Sequence, residues 1–380
     1  MAARPATDPP AEVVPVLPGP RTTFASLTAM RGVAALLVAF FHLRFGVMGI
    51  PWCDAYIFSF RFGNKGYLWV DFFFILSGFI LTYRYGEACR TLDWRNYGHF
   101  IWQRIARIWP LHLVTMGIAI VCLILKYGAG YLTGASILAN LFLVHSWGHY
   151  FFPRLNFLSW SLSCEWGAYL VLPLYLLLVY RVRRGLIHVF LIATLFAFLV
   201  WYVNHFGGGT LDRLNEQGGL SRCLTEVAIG VSLFRLHGPI RVWQITRDAD
   251  AARRLTVGSD AIAAAIFCAV FVVFTFGKSD VWFVPLAGGL ILALSLAQGP
   301  FSCLLEWRPM VLMGEISFSI YMLHGFVMWA GMDAPARFKA GLPFWAGAVW
   351  LAASFLVVIG LSYASFRLIE RPAHRFLTGR

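Results

Sequence analysis

The chain has 380 residues, of which 59% are hydrophobic and only 13% are charged. This composition excludes a soluble globular protein and indicates a polytopic membrane protein, because long apolar segments with few charges are typical of membrane-spanning helices. The 31 Lys and Arg residues exceed the 18 Asp and Glu residues. We attribute this excess to loops on the cytoplasmic side, where Lys and Arg collect, and we expect no nucleic-acid partner.

The N-terminal segment 1–24 contains six prolines and almost no apolar run, which predicts a disordered cytoplasmic tail. It lacks the features of a signal peptide, so we expect the first apolar segment to remain as an anchor. Residues 25–376 are predicted to form one all-α transmembrane domain, followed by a cytoplasmic end at 377–380. The ten predicted spans lie at about 27–48, 66–85, 108–126, 159–180, 186–205, 219–236, 258–277, 281–298, 314–332 and 343–366.

A further apolar segment, 135–146, is too short to cross the membrane comfortably, and it decides the topology. If it does not cross, the Arg-rich segments 84–107, 181–184, 235–254 and 367–380 all fall on the side of the N-terminus. Arg-rich loops favour the cytoplasmic side. We therefore predict a re-entrant or interfacial segment and ten spans, with both termini in the cytoplasm.

The first span carries two ionisable residues, Arg31 and His42, in the sequence RGVAALLVAFFH. Eleven residues turn an α-helix about 20° beyond three full turns, so both side chains lie on one face, about 16 Å apart along the axis. Ionisable side chains inside a membrane are costly and typical of functional sites. The alternative role for each of them is to hold helices together through hydrogen bonds.

Three further ionisable residues are predicted near the depth of His42, in the outer half of the membrane: Asp71, Glu165 and His324. A carboxylate beside an imidazole fixes its tautomer and raises its basicity, as a general base requires. We therefore expect Asp71 or Glu165 to orient His42, and we favour Asp71 because the first two spans form a hairpin. A packing role remains the alternative for each residue, including His324.

A different pattern lies at the cytoplasmic end of the third span, where Arg104 and Arg107 share one helix face. Arginine suits bidentate phosphate contacts, so this pair predicts a phosphate-binding site. The alternative is that both side chains reach membrane lipid headgroups. The sequence contains no phosphate-binding glycine loop, nucleophile elbow or HExxH motif. We therefore expect no metal and no acyl-serine intermediate, and we favour direct transfer assisted by a base.

Together these segments resemble the membrane acyltransferase-3 family, whose bacterial members acylate surface polysaccharides, lipids and some small metabolites. The resemblance extends from about residue 24 to residue 376 and depends on six segments in the same order. They are RGVAALLVAFFH at 31–42, VDFFFILSGF at 70–79, RIARIWP at 104–110, WSLSCE at 160–165, ISFSIYMLH at 316–324 and IERP at 369–372.

The resemblance implies an inner-membrane O-acyltransferase that takes an acyl group, most commonly acetyl, from cytoplasmic acyl-coenzyme A. It implies that His42 is catalytic and that Arg31, Arg104 and Arg107 bind this donor. We assign substrate contacts to the residues of its other segments, Trp160, Ser161, Tyr321 and His324. The implied acceptor is a hydroxyl group of an extracytoplasmic glycan, a lipid or a small metabolite.

A transporter or flippase of a lipid-linked sugar or an acyl carrier is the alternative function. Intramembrane Arg and His also suit a substrate pathway. Transporters usually contain repeats and helices broken by Gly or Pro in both halves, and neither pattern is evident in the sequence. A purely structural scaffold would leave the ionisable groups at matched depths without a role, so we favour the acyltransferase.

Overall fold

The structure is a computed structural model that describes residues 24–50, 53–89, 93–148, 155–182, 184–277, 279–343 and 345–379. These residues form helices and connecting loops without a β-strand. The chain is therefore an all-α polytopic membrane protein, as predicted. Apart from Phe24, the predicted N-terminal tail lies outside the described residues.

Within the described residues, ten helices of at least 14 residues coincide with the ten predicted spans. We number these helices in chain order. They are α1 (Ala25–Leu43), α2 (Trp69–Tyr85), α3 (Trp94–Tyr127), α4 (Ser159–Tyr180), α5 (Gly185–Phe206), α6 (Gly219–Thr246), α7 (Ala249–Phe276), α8 (Phe283–Leu296), α9 (Ser317–Met332) and α10 (Trp345–Ser365).

Shorter helical turns lie in the connections and after α10. Their bounds are Arg44–Val47, Cys53–Ser59, Arg61–Asn64, Gly66–Leu68, Ala129–Tyr131, Gly134–Leu141, Leu214–Gln217, Asp280–Trp282, Pro300–Leu305, Arg308–Glu315, Ala336–Ala340, Phe366–Glu370 and Arg371–Thr378. The predicted re-entrant segment 135–146 thus overlaps a helix of only eight residues, Gly134–Leu141. Its position relative to the membrane stays a prediction.

Length and apolar composition identify seven helical stretches of the described chain that could cross a membrane. The number is eight if Arg308–Glu315 and α9 are counted as one bent span. The helix α6 is not among them and carries Arg222 and Glu226 in its first half, while α8 belongs to a shorter apolar stretch, Asp280–Leu296. The predicted number of ten spans and their orientation therefore stay predictions.

The helix α2 lies in the centre of the bundle, where it packs against α1, α4, α6 and α8. Its closest neighbour is α6, and the two helices meet through Gly78 and Gly230. A Cβ atom on Gly78 would overlap the carbonyl oxygen of Val227, and one on Gly230 would overlap that of Ile75. Only glycine permits this approach, which fixes α2 against α6.

A bend of 69° separates the short helix Arg308–Glu315 from α9. The short helix packs against α1 through a second pair of glycines, because a Cβ atom on Gly32 would lie 2.6 Å from the backbone nitrogen of Gly314. At the start of α9, just past the bend, Ser317 meets Arg31, whose Nη2 lies 3.2 Å from the Ser317 Oγ. The bend therefore brings the beginning of α9 to the charged face of α1.

Candidate active site

A cavity of about 250 Å³ lies among α1, α2, α3, α4 and α9. It follows α2 from Arg84, near the last residue of this helix, to Val70, near its first residue. We call the end at Arg84 the Arg-rich end. Its charged and polar lining residues are Arg31, Ser77, Arg84, Arg104, Arg107, Ser161, Glu165, Tyr169, Ser317, Tyr321 and His374.

Six of the ten residues singled out from the sequence line this cavity. They are Arg31, Arg104, Arg107, Ser161, Glu165 and Tyr321. The other four lie in two separate groups. Asp71 and Trp160 both contact Arg222, the first through a hydrogen bond and the second through its ring. His42 and His324 contact each other.

Three cavity arginines have no carboxylate hydrogen-bonded to them among the described residues. Arg31 donates to Ser317, and Arg104 donates to the hydroxyl of Tyr85 at 3.1 Å. The Nε of Arg104 is buried without a partner among the described residues. Arg84 makes no hydrogen bond or ion pair with the described chain and was not singled out from the sequence.

Arg107 differs from these three because its charge is already paired. Its Nη1 donates to Oε2 of Glu370 at 2.8 Å, and Glu370 also accepts a hydrogen bond from Ser319. Glu370 ends the π-helical turn Phe366–Glu370 that continues α10. Such turns are frequent at functional sites, and this one carries a buried carboxylate to Arg107, a lining residue of the cavity.

Glu165 lies on the cavity wall and accepts a hydrogen bond from Ser77 of α2. Because Ser77 follows Asp71 by six residues, Glu165 lies about 9 Å further along α2, toward the Arg-rich end. The predicted single layer of ionisable groups is therefore wrong in the placement of Glu165. The hydrogen bond between Glu165 and His42, the second of the two alternatives for orienting His42, is not formed.

Asp71 is also hydrogen-bonded to a residue other than His42. Its Oδ1 accepts a hydrogen bond from Nε of Arg222 at 2.6 Å, and both side chains are fully buried. Arg222 also donates to Asn215, and its guanidinium lies 5.7 Å from the ring centroid of Trp160. The expectation that Asp71 orients His42 is therefore wrong, because a buried carboxylate is stabilised far more by a buried cation than by a neutral ring.

The sequence contains a signal for this cluster. Arg222 and Glu226 both lie in the predicted span 219–236, four residues apart, and their Nε and Oε1 atoms are 3.7 Å apart. The rule that drew attention to Arg31 and His42, the cost of intramembrane charge, applies equally to this pair.

His42 makes its side-chain contacts with another histidine and with backbone. Its Nδ1 lies 3.1 Å from Nε2 of His324 and 3.1 Å from the carbonyl oxygen of Val38. The Nδ1 of His324 lies 2.9 Å from the carbonyl oxygen of Ile320. His324 is fully buried, whereas His42 is half-buried beside the ring of Phe157.

The helix α9 connects the cavity with this histidine pair. The hydroxyl of Tyr321, at the cavity wall, lies 2.6 Å from Oγ of Ser161, and its ring centroid lies 5.9 Å from that of His324. The prediction that Arg31 and His42 share one face of α1 is confirmed, because both contact α9. One face of α9 therefore reaches from the arginines to His42.

The sequence of the chain matches one family model and is similar to two curated proteins. A family model described as an acyltransferase domain matches residues 24–367. Acyltransferase MdmB of Streptomyces mycarofaciens is 38% identical over 120 residues, which cover 30% of this chain and 29% of that protein. YrhL of Bacillus subtilis (strain 168), whose name gives a proposed peptidoglycan O-acetyltransferase activity, is 23% identical over 375 residues.

The match to YrhL covers 91% of this chain and 54% of that protein. The chain therefore spans about half, or less, of the length of these curated relatives. No solved structure is significantly similar to the chain.

Proposed function

The chain belongs to the acyltransferase-3 family, and from this premise we propose that it transfers an acyl group from acyl-coenzyme A to a hydroxyl group. The observation that carries this proposal is the cavity, with arginines at one end and the hydroxyls of Ser161 and Tyr321 next to the histidine pair at the other. A donor with phosphates at one end and a thioester at the other matches this distribution. The name of YrhL supports acetyl as the acyl group.

The charge balance of the cavity supports an anionic donor. Glu370 neutralises Arg107, so Glu165 is the one carboxylate among the described lining residues that faces Arg31, Arg84 and Arg104. Positive charge without a counter-charge is costly away from water, and the phosphates of coenzyme A would supply the missing negative charge. Guanidinium groups also match phosphate oxygens geometrically through paired N–H donors.

In the proposed reaction, His42 acts as the general base. Its Nε2 removes the proton of the acceptor hydroxyl while the hydroxyl oxygen attacks the thioester carbonyl carbon. The carbon–sulfur bond then breaks, and the leaving thiolate takes the proton from His42, so that an ester and free coenzyme A result. Because Tyr321 lies between the cavity and the histidine pair, the acyl group has to pass this side chain.

We further propose that the Arg-rich end faces the cytoplasm of a cell with an inner membrane, where acyl-coenzyme A is available. The Arg-rich segments at this end of the helices support that orientation. His42 then lies toward the opposite side, where the acceptor would be a glycan, a lipid or a small metabolite.

Inverted membrane vesicles provide the test, because they expose the cytoplasmic side to added acetyl-coenzyme A labelled with ¹⁴C in the acetyl group. We expect the His42→Ala protein to incorporate label into vesicle material about 10²-fold to 10⁴-fold more slowly than the wild type. Coenzyme A should bind this variant with near-normal affinity by calorimetry, because the loss is felt in the transition state. The exposed His99, replaced by Ala, is the matched control and should retain full activity.

Two results would overturn the proposal. The first is that vesicles with the wild-type protein incorporate no more label than vesicles without it. The second is that the His42→Ala protein transfers at the wild-type rate.

The alternative function, transport of an anionic acyl carrier, is favoured by one observation, the 69° break before α9. Broken helices line the substrate sites of many transporters. The same vesicles separate the two functions. A transporter would accumulate intact labelled acetyl-coenzyme A in the lumen, whereas an acyltransferase would leave the label bound to another molecule.

A further inference from the structure

We propose that His324 is a positioning residue, which holds His42 as the tautomer with hydrogen on Nδ1 and so keeps Nε2 free to act as a base. The catalytic consequence rests on the proposed function. The hydrogen positions themselves follow from the contacts of the two rings and can be measured without any reaction.

His324 is the buried member of the pair, and its contacts fix the position of its own hydrogen. The Nδ1 of His324 lies 2.9 Å from the carbonyl oxygen of Ile320. A carbonyl oxygen can only accept a hydrogen bond, so Nδ1 of His324 carries the hydrogen. A neutral imidazole has a single N–H, and Nε2 of His324 is therefore an acceptor with a free lone pair.

This acceptor determines the state of His42. The Nδ1 of His42 lies 3.1 Å from Nε2 of His324 and 3.1 Å from the carbonyl oxygen of Val38. Both neighbours are acceptors, so the hydrogen of His42 lies on Nδ1. From there it can be donated to Nε2 of His324 and to the carbonyl oxygen of Val38. The lone pair of His42 is then on Nε2, which has no hydrogen-bond partner among the described residues.

The same contact stabilises His42 after it has taken a proton. The imidazolium would donate its Nδ1–H to the lone pair of His324, as catalytic histidines elsewhere donate to a carboxylate. In this bundle neither carboxylate takes that role, because Asp71 accepts a hydrogen bond from Arg222 and Glu165 accepts one from Ser77, nearer the Arg-rich end. A neutral acceptor also avoids placing a permanent charge at the fully buried position of His324.

A pair of substitutions separates this role from simple packing. The side-chain oxygen of Gln can take the place of Nε2 as an acceptor, whereas Leu fills the space without one. We expect His324→Leu to lower kcat by about 10-fold to 100-fold, the loss typical when a histidine that binds a metal loses the hydrogen-bond partner that orients it, with an unchanged KM for acetyl-coenzyme A. His324→Gln should keep kcat within about 3-fold of the wild type, since a neutral hydrogen bond is retained.

Calorimetric binding of coenzyme A shows that each variant is folded before its kcat is interpreted. Equal losses in the Gln and Leu proteins would show that the site needs the shape of histidine, and would overturn the inference. Full activity of the folded Leu protein would overturn it as well.

A spectroscopic measurement keeps the inference testable if a variant does not fold. We would record ¹⁵N spectra of the wild-type protein in nanodiscs with ¹⁵N-labelled histidine and identify the His42 signals by their loss in His42→Ala. The inference requires a protonated Nδ1 and an unprotonated Nε2, and the opposite pattern would overturn it. If the expected pattern is found in a protein that transfers no acyl group, the proposed function fails and the hydrogen assignment stands.

Discussion

Two groups of arginines in this bundle share one side-chain chemistry and differ in their surroundings. Arg222 is fully buried and donates to Asp71 and Asn215. Arg31 and Arg104 line a cavity and donate only to neutral hydroxyl groups among the described residues. An intramembrane charge is therefore not by itself evidence of a ligand site. Where the counter-charge belongs to the protein, the pair holds helices together, and where it does not, an anionic ligand can supply it.

The largest expected effect concerns the stability of the Arg222 cluster. Arg222→Met would leave Asp71 and Glu226 in the apolar interior without a cation, and we expect a loss of about 3–5 kcal/mol in the free energy of unfolding. The double variant Asp71→Asn with Arg222→Met should regain part of this loss, because one uncompensated charge is removed. Denaturation in detergent measures the free energy of unfolding of the single and the double variant.

This comparison fails if Arg222→Met unfolds like the wild type and loses acyl transfer alone. That result would place Asp71 and Arg222 in the catalytic machinery, the role that the sequence pattern predicts for Asp71.

The second expected effect concerns the affinity of the cavity for its donor. Arg104→Gln should weaken coenzyme A binding by about 10-fold or more, because a charge-assisted contact is lost. Arg104→Lys should restore only part of the affinity, since lysine retains the charge and not the paired donors. Unlike Arg222→Met, this change should leave thermal stability nearly unaltered, because no buried carboxylate loses its partner.

Calorimetry with coenzyme A and denaturation of the same samples test this contrast. Unchanged affinity in the Arg104→Gln protein would move the donor site elsewhere. It would also favour the alternative that the arginine reaches lipid headgroups.

The smallest expected effect concerns an ion pair that is exposed to water and should contribute little to the free energy of unfolding. Lys126 and Asp333 form an ion pair at 2.6 Å, with 46% and 53% of their side chains exposed. Water screens this pair, so Asp333→Asn should change the free energy of unfolding by less than about 1 kcal/mol. If Asp333→Asn lowered the free energy of unfolding as much as Arg222→Met, burial would not explain why the Arg222–Asp71 pair stabilises the protein more than the exposed Lys126–Asp333 pair.

The sequence by itself determined the fold class and the location of the helices. A long apolar segment inside a membrane must satisfy its backbone hydrogen bonds internally, so each predicted span contains a helix in the structure, including 219–236 and 281–298. It also determined that Arg31 and His42 share one face, because eleven residues fix the rotation between two positions of one helix. Both conclusions depend only on local geometry.

Only the tertiary structure decided which ionisable groups meet. Asp71 pairs with Arg222 across 151 residues, and His42 pairs with His324 across 282. The bend before α9, which no predicted break indicated, places that helix against α1. The physical reason is that helices apolar on all sides carry little periodicity to indicate which face meets which neighbour. The contacts of each charge therefore depend on the packing order and rotation of whole helices.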